Sequence, residues 1–411
     1  MADSTGTAKK IRVGFVVSRL DAGWIGGANY LSNLLQAVAA LPDRQIETVL
    51  LVPPATDPAM LARFPADRVI ATPLVAARDP RRLAAKAIER VIGRDMASEW
   101  LARRHGIDVL SHVPPLPRRG RSSSARAGTR RVAAISWIPD FQHEHLNDFF
   151  SPKELHRRRA SDARMARDAD IVLLSSLHAQ RDLARFYPDA TDRSRVLQFV
   201  SGLRTTAPVK SRAALAESYA LDGPFLYLPN QFWIHKNHRV VIDALALLKA
   251  RGCAATVVAT GHTADYRHPD HFAALMAHAE AQGVGDMFRV LGMVPYDDVV
   301  ALLHHAVAVI NPSRFEGWST TVEEAKSQGK PLLLSDIAVH REQAPDRGRF
   351  FGVDDPAALA DLIADTLQRY SPDDEADAAR TAAAALPQRV EAFARTYQAI
   401  VLDAAARTGR D

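Results

Sequence analysis

Short apolar runs recur along the whole chain, and the stretches between them carry apolar residues at helical spacing. Ile11–Ser18 (IRVGFVVS) reads as a buried strand, Asp21–Gly27 as a glycine-rich loop, and Ala28–Leu41 as a helix stopped by Pro42. Thr48–Val52, Asp108–Ser111, Val132–Ser136, Asp170–Ser175 and Val196–Val200 read as further strands, with a charged helix from about Pro152 to Arg167. A break covers Gly202–Asp222 and holds the short helix AALAESYAL. The alternation then resumes. Strands are expected at Phe225–Leu228, Ala255–Thr260, Met287–Leu291 and Val307–Asn311, and helices at Asn237–Arg251, His271–Gln282 and Tyr296–His305. A last helix is expected from about Pro387 to Arg407. Strand and helix alternating from end to end predict an α/β fold with parallel sheets. The expected division is 1–205, 206–386 and a terminal helix, 387–411.

Composition narrows the class. Hydrophobic residues at 47% and charged residues at 24% suit a water-soluble globular chain. The single Cys253 excludes an internal disulfide and a cysteine-built zinc site, and predicts a cytoplasmic setting. The polar start MADSTGTAKK lacks the apolar core of a signal peptide, and no run of ~18 apolar residues predicts a membrane span. A net charge of +5 suits anionic small molecules, a membrane surface or nucleic acid and does not choose among them.

Candidate chemistry concentrates in Asn311–Gln343, NPSRFEGWSTTVEEAKSQGKPLLLSDIAVHREQ. Glu316 and Glu324 stand eight positions apart around a turn and a helix start. Gly317 lets backbone approach a ligand, and Ser319, Thr320 and Thr321 are N-cap residue types. Thr320 with Glu323 has the form of a capping box. Gly329 is a natural C′ residue, and Pro331 forbids continuation. A strand, a loop and an exposed helix N-terminus suit a phosphorylated ligand.

This run resembles the E-x7-E signature of GT4-family retaining glycosyltransferases, which are group 1 glycosyl transferases with the GT-B fold. The resemblance implies two Rossmann-like domains facing a central cleft, with the C-terminal helix crossing back to the first domain. It implies a nucleotide-diphosphate sugar donor on the second domain and no divalent metal or other cofactor. Lys236 and the helix N-terminus after Gly317–Ser319 would take the departing diphosphate. Glu324 would hold the ribose hydroxyls, and Glu316 the sugar hydroxyls near the reacting carbon. Trp318 and Thr320 belong to the same donor-binding turn.

Other loops fit the same scheme. Gly26 and Gly27 depart from the G-x-G-x-x-G dinucleotide fingerprint but resemble the GT4 first glycine loop. Leu228–His238 (LPNQFWIHKNH) resembles the loop whose lysine binds the donor phosphate. The usual arginine before that lysine is replaced by Asn230 and Gln231, so His235 and Arg314 are expected to share the role. Ser136–Phe150 (SWIPDFQHEHLNDFF) resembles a D-x-x-H block facing the cleft, with Asp140 and His143 at acceptor or leaving group; its His-Glu-His spacing is weak for zinc. The loops at Gly261 and Met293 resemble those that hold the nucleotide base. In HREQ, Glu342 reads equally as functional or as supporting.

A basic run, Arg78, Arg81, Arg82, Lys86, Arg90 and Arg94, is interleaved with Leu83, Ile88, Val91 and Ile92 at near-helical spacing. It reads either as a face for anionic lipid on the inner side of the plasma membrane or as a solvated surface. No nucleic-acid module is visible. The function expected is hexosyl transfer from a GDP- or UDP-linked sugar, GDP-mannose among the candidates, to a glycan or lipid-linked acceptor in surface polysaccharide assembly. The alternatives are a GT-B nucleotide-sugar epimerase and a non-catalytic sugar-nucleotide-binding protein. A doubly wound oxidoreductase is disfavoured by the missing fingerprint.

Overall fold

The computed structural model describes residues 9–17, 25–92, 95–114, 131–202 and 209–408. They form two compact α/β units. The first comprises Met1–Phe141, His156–Phe199 and Gln388–Asp411; the second comprises Gln142–Leu155 and Val200–Pro387. The segment 142–155, expected in the first domain, therefore clusters with the second.

In the first unit seven parallel strands are laid out in the order β3-β2-β1-β4-β5-β6-β7. They are β1 (Ile11–Val16), β2 (Ile46–Val52), β3 (Arg68–Ala71), β4 (Val109–Ser111), β5 (Ala133–Ile138), β6 (Ile171–Leu174) and β7 (Ser194–Val196). The second unit carries β8 (Leu226–Pro229), β9 (Val257–Thr260), β10 (Phe288–Gly292), β11 (Ala308–Asn311), β12 (Leu332–Ser335) and β13 (Gly348–Phe351). Their order is β10-β9-β8-β11-β12-β13, again all parallel. Each sheet reverses its winding once, between β1 and β4 and between β8 and β11. Crevices that take ligands open at the strand carboxyl ends beside such reversals.

The apolar runs have a direct cause. A parallel sheet with helices on both faces buries both sides of each strand, and β4, β6, β9, β11 and β12 are buried at every residue. Successive side chains serve opposite cores. Leu226, Leu228, Val257, Ala259, Ala308 and Ile310 pack on one face of the second sheet, while Tyr227, Val258, Val309, Leu332 and Leu334 pack on the other.

Several elements differ from the sequence reading. The first helix begins at Ile25, so Gly26 and Gly27 lie in its first turn and not in a loop; residues 18–24 of that expected loop are outside the described residues. Most of Pro114–Arg131 is outside them too. The edge strands β3 and β13 and the helix Pro356–Gln368 are additional. β3 escaped because its residues are largely exposed and carry no apolar run.

The terminal helix is far longer than expected, Pro372–Ala406, with Pro387 inside it. Proline is favoured in a helix's first turn. In the interior it removes one hydrogen bond, and the other turns of a 35-residue helix persist around it. Its first part belongs to the second unit, where Glu375 pairs with Arg347 at 2.6 Å. Its last part returns to the first unit, as the resemblance implied: Tyr397 donates to Ser111 Oγ at 2.8 Å, and Gln398 Oε1 accepts from Gln45 N at 2.8 Å. Among the described residues no helix is long and apolar enough to cross a membrane.

Candidate functional site

The loops that leave β8, β11 and β12 converge in the second unit, beside its winding reversal. After β11 the chain turns through Pro312–Trp318 and enters the helix Thr320–Ser327. The N-cap is Ser319, whose Oγ accepts from Val322 N. The capping box expected from Thr320 and Glu323 does not form, because the cap falls one residue earlier. Glu323 is instead buried, accepting from Gln343 Nε2 at 3.1 Å and from Lys326 Nζ at 3.3 Å. The C-terminal reading holds: Gln328 is the C-cap and Gly329 adopts φ 66°. A Cβ on Gly329 would meet the Ala378 carbonyl oxygen at 2.4 Å.

Asn311, fully buried at the end of β11, organises the turn. Its amide nitrogen donates to Ser319 Oγ at 2.8 Å, and its oxygen accepts from Ser313 Oγ at 2.7 Å and Asn230 Nδ2 at 3.2 Å. Gln343 holds the same turn from the far side. Its Oε1 accepts from Ser319 N at 3.2 Å and its Nε2 donates to Ser319 O at 3.0 Å, as a paired strand would. Within HREQ it is Gln343 whose side chain braces this loop. Asn230 also lies against Gly261, where φ is 141° and a Cβ would meet Asn230 O at 2.5 Å; only glycine fits.

Inside this frame Lys236 Nζ lies 2.6 Å from Glu316 Oε1. Lys236 ends a short 3-10 turn, and Asn237 follows in the left-handed region at φ 55°, which asparagine tolerates. Burial alone would raise the Glu316 carboxyl, but the Lys236 ammonium and hydrogen bonds hold it down to about 2. Glu324, one turn into the helix, has the opposite fate. Burial pushes it up to about 7, opposed only by the Ser201 hydroxyl 3.5 Å away. The two carboxylates of the E-x7-E run are therefore unlike: one is fixed as an anion, the other is poised near neutrality.

Two histidines complete the chemistry. Burial holds His235 neutral, with its pKa at about 3. His340 is also buried, and burial lowers its pKa. Its Nδ1 donates to the Ser335 carbonyl at 2.9 Å, so its Nε2 is a bare lone pair, with no partner among the described residues. Arg314 is directed elsewhere. It forks onto Asp354 at 2.5 and 3.0 Å and reaches Asn237 Oδ1 at 3.1 Å. A role on phosphate would require it to leave Asp354.

The remaining candidates are more scattered. Gly317, Trp318 and Thr320 line the turn and are half-buried. Met293, just after β10, is 58% exposed. His143 lies buried on the short helix Gln142–His145, 3.5 Å from Glu144, and the neighbouring His145 ring lies 5.2 Å from Phe315. Asp140, Gly26 and Gly27 belong to the first unit. The sequence reading gave no role to Asn311 and Ser201, and it placed His340–Gln343 as a segment supporting the donor pocket without assigning a role to His340 or Gln343 singly. Asn311 had a local signal, an Asn-Pro pair ending an apolar strand; the others act across the fold and had none.

The arrangement combines a buried cation–anion pair, an ionisable carboxyl and an unpartnered imidazole beside a helix N-terminus. It suits a ligand that is both anionic and rich in hydroxyls. Residues 216–385, which hold nearly all of it, match the family model described as Glycosyl transferases group 1. The chain carries a group 1 glycosyltransferase domain. No curated protein matches the whole sequence. Among solved structures the chain resembles Anabaena Alr3699/HepE in complex with UDP and glucose, at 16% identity and a TM-score of 0.63 over 94% of this chain and 98% of that one. It also resembles a glycosyltransferase from Rickettsia africae ESF-5, at 13% identity and 0.63, covering 96% and 99%. A third is WaaG, a glycosyltransferase involved in lipopolysaccharide biosynthesis, at 15% identity and 0.55, covering 98% and 100%. At such identities the likeness speaks for the fold, and that fold is GT-B.

Two predictions follow the charge arrangement of the glycosyltransferase domain. Lys236→Ala strands a buried carboxylate and is expected to lose roughly 3 kcal/mol or more of stability in urea denaturation. The double variant Lys236→Ala/Glu316→Gln should regain most of that; equal losses in both would refute the pairing argument. The carboxyl of Glu324 is raised above its ordinary 4.5, so stability is fully present below about 4.5 and is lost as pH rises through about 7. Glu324→Gln is expected to match the parent at pH 5 and exceed it at pH 8 by on the order of 1–3 kcal/mol. Thermal melts at the two pH values check this.

Proposed function

We propose that this chain is a retaining glycosyltransferase of the GT4 type. It transfers a hexosyl unit from a UDP- or GDP-linked sugar to a glycan or lipid-linked acceptor in surface polysaccharide assembly. The observation that carries the reading is the buried Lys236–Glu316 pair at the winding reversal of a group 1 glycosyltransferase domain. Solved relatives of the same fold bound to UDP, glucose and UDP-glucose support a nucleotide-sugar donor.

The residues divide the work. Lys236 has three N–H donors and gives one to Glu316, leaving others for a diphosphate oxygen. Charge developing on the departing diphosphate then falls on Lys236 and on the positive end of the helix Thr320–Ser327. Glu316, already ionised, accepts sugar hydroxyls. Glu324 accepts ribose hydroxyls once it has lost its proton. His340 Nε2, facing no protein donor, accepts one further hydroxyl of the donor. The fixed cation and helix end stand where other enzymes place a metal. The acceptor attacks from the face the diphosphate leaves, and a leaving-group oxygen takes its proton, which retains configuration.

We infer action at the cytoplasmic face of a membrane. The helix Pro80–Ile92 leaves Leu83 54% and Ile88 48% exposed, with Arg81 and Lys86 exposed beside them. Exposed apolar side chains interspersed with cations suit an anionic lipid surface.

Calorimetric titration with UDP, GDP and their sugar conjugates tests the donor site. One nucleotide is expected to bind, with affinity reduced at least about tenfold in Lys236→Ala; no binding by any of them overturns the reading. Nucleotide release without an acceptor, with an altered sugar, would mark an epimerase, and binding without turnover a sugar-nucleotide-binding protein. Product anomeric configuration, read by NMR, tests retention. Vesicles of phosphatidylglycerol should capture the protein and vesicles of phosphatidylcholine should not. Leu83→Glu/Ile88→Glu should abolish capture, and capture indifferent to lipid charge and to these changes would refute the membrane contact.

A further inference from the structure

Residues 142–155 follow the fifth strand of the first sheet, yet they cluster with the second unit. They comprise the short helix Gln142–His145, a 3-10 turn at Asn147–Phe149 and the first residues of the helix Pro152–Asp168. They are held at two separate places. At the first, the His145 ring lies 5.2 Å from Phe315, the residue before Glu316. At the second, three contacts reach the loop after β9. The Phe149 ring meets the edge of His268 at 6.1 Å, the Phe150 ring lies 5.0 Å from the Arg267 guanidinium, and Tyr266 Oη donates to Glu154 Oε1 at 3.0 Å.

Sheet order decides what lies between these places. Phe315 follows β11, Arg267 follows β9, and β8 stands between those two strands. All three run parallel, so the loops at their carboxyl ends share one side. A segment held at the two outer loops passes over the middle one, Trp233–Lys236. The crossing is short. Two strand spacings are about 10 Å, and four residues of chain reach at most about 14 Å. Asn147 and Asp148, in the middle of the crossing, are exposed, whereas Phe150 is buried.

Arg267 fastens the far end. Its guanidinium also lies 5.2 Å from the Trp233 ring, so the anchor rests on the loop that carries Lys236. Its Nε donates to Asp265 Oδ1 at 3.2 Å, and its side chain is 7% exposed. Its Nη2 has no hydrogen-bond partner among the described residues. Stacking and one carboxylate hold this arginine in place, while a buried donor left unpaired works against it. The Tyr266 hydroxyl bond is at the surface, Tyr266 being 69% exposed, so water replaces it when it breaks. Contacts of this kind are made and broken reversibly.

We propose that residues 142–155 form a lid over the loop Trp233–Lys236, latched by Arg267 and Tyr266, and that a nucleotide enters and leaves only when the latch opens. The proposal rests on the nucleotide-sugar reading above and adds how access to that site is controlled. Closure keeps water from the Lys236–Glu316 pair and from a diphosphate beside it, which strengthens the attraction between them. Opening is local and leaves the second sheet intact.

Hydrogen–deuterium exchange, read by mass spectrometry, tests the latch without any ligand. Tyr266→Phe removes the hydroxyl bond to Glu154. Arg267→Lys keeps a cation beside Asp265 and loses the flat face that stacks. Each should speed exchange in residues 146–155 about three- to tenfold and leave β8, β9 and β11 unchanged. Unaltered exchange in 146–155 in both variants overturns the latch. Stopped-flow binding of fluorescent UDP and GDP analogues tests the gate. For the nucleotide that binds, association and dissociation should quicken by the same factor in both variants, with Kd within about twofold of the parent, because a gate changes rates and not the equilibrium. Faster dissociation with unchanged association would make these residues direct ligand contacts and overturn the gate, as would unchanged rates. Binding of neither nucleotide by the parent protein removes the donor reading and the gate with it, while the exchange data still judge the latch.

Discussion

The second unit depends on one constraint: Glu316 is ionised where water cannot reach it freely. A buried carboxylate is costly unless a cation and hydrogen bonds surround it. Lys236 supplies the cation from the loop after β8, and Glu316 comes from the loop after β11. The two strands are sheet neighbours although about eighty residues separate the charges. Bringing these charges together therefore ties the loop geometry to the sheet topology. Asn230, Asn311 and Ser319 form the hydrogen-bonded scaffold between them.

The same turn treats its second carboxylate in the opposite way. Among the described residues Glu324 meets no cation and accepts one long hydrogen bond, so it keeps its proton close to neutrality. Two glutamates eight positions apart thus stand in different charge states, set by their surroundings and not by their identity. Gln343 makes this sustainable. By mimicking a strand partner for Ser319 it fixes the start of the helix, and with it the direction in which Glu324 points.

Much of this was legible from residue order. Continuous apolar runs report burial on both faces, so β8, β9, β11 and the helix Tyr296–His305 could be placed closely. β3 was invisible because an exposed edge strand carries no such run. Pro387 misled because proline's preference for a first turn says nothing about a long helix held by packing on both sides of it. At the site, Lys236, Glu316 and Glu324 were recognisable because their spacing is local to two loops. The segment His340–Gln343 was legible as a support for the pocket, but the separate contacts of Gln343 and His340 were not, since they depend on a backbone group and a lone pair that only the folded chain brings into place.

The discontinuity of the first unit has a consequence for biosynthesis. Its sheet is built by residue 196, yet Phe393, Tyr397, Gln398 and Val401, all buried in the finished protein, are supplied only after the whole second unit has been made. The intervening stretch, Val200–Pro387, is 188 residues by subtraction. At ~5–20 residues per second a ribosome needs roughly ten to forty seconds to deliver it. Throughout that interval the surface that later receives the terminal helix stands uncovered, and the Ser111 hydroxyl and the Gln45 amide await Tyr397 and Gln398. The nascent chain must tolerate an exposed apolar patch for a time that is long beside hydrophobic collapse and helix formation.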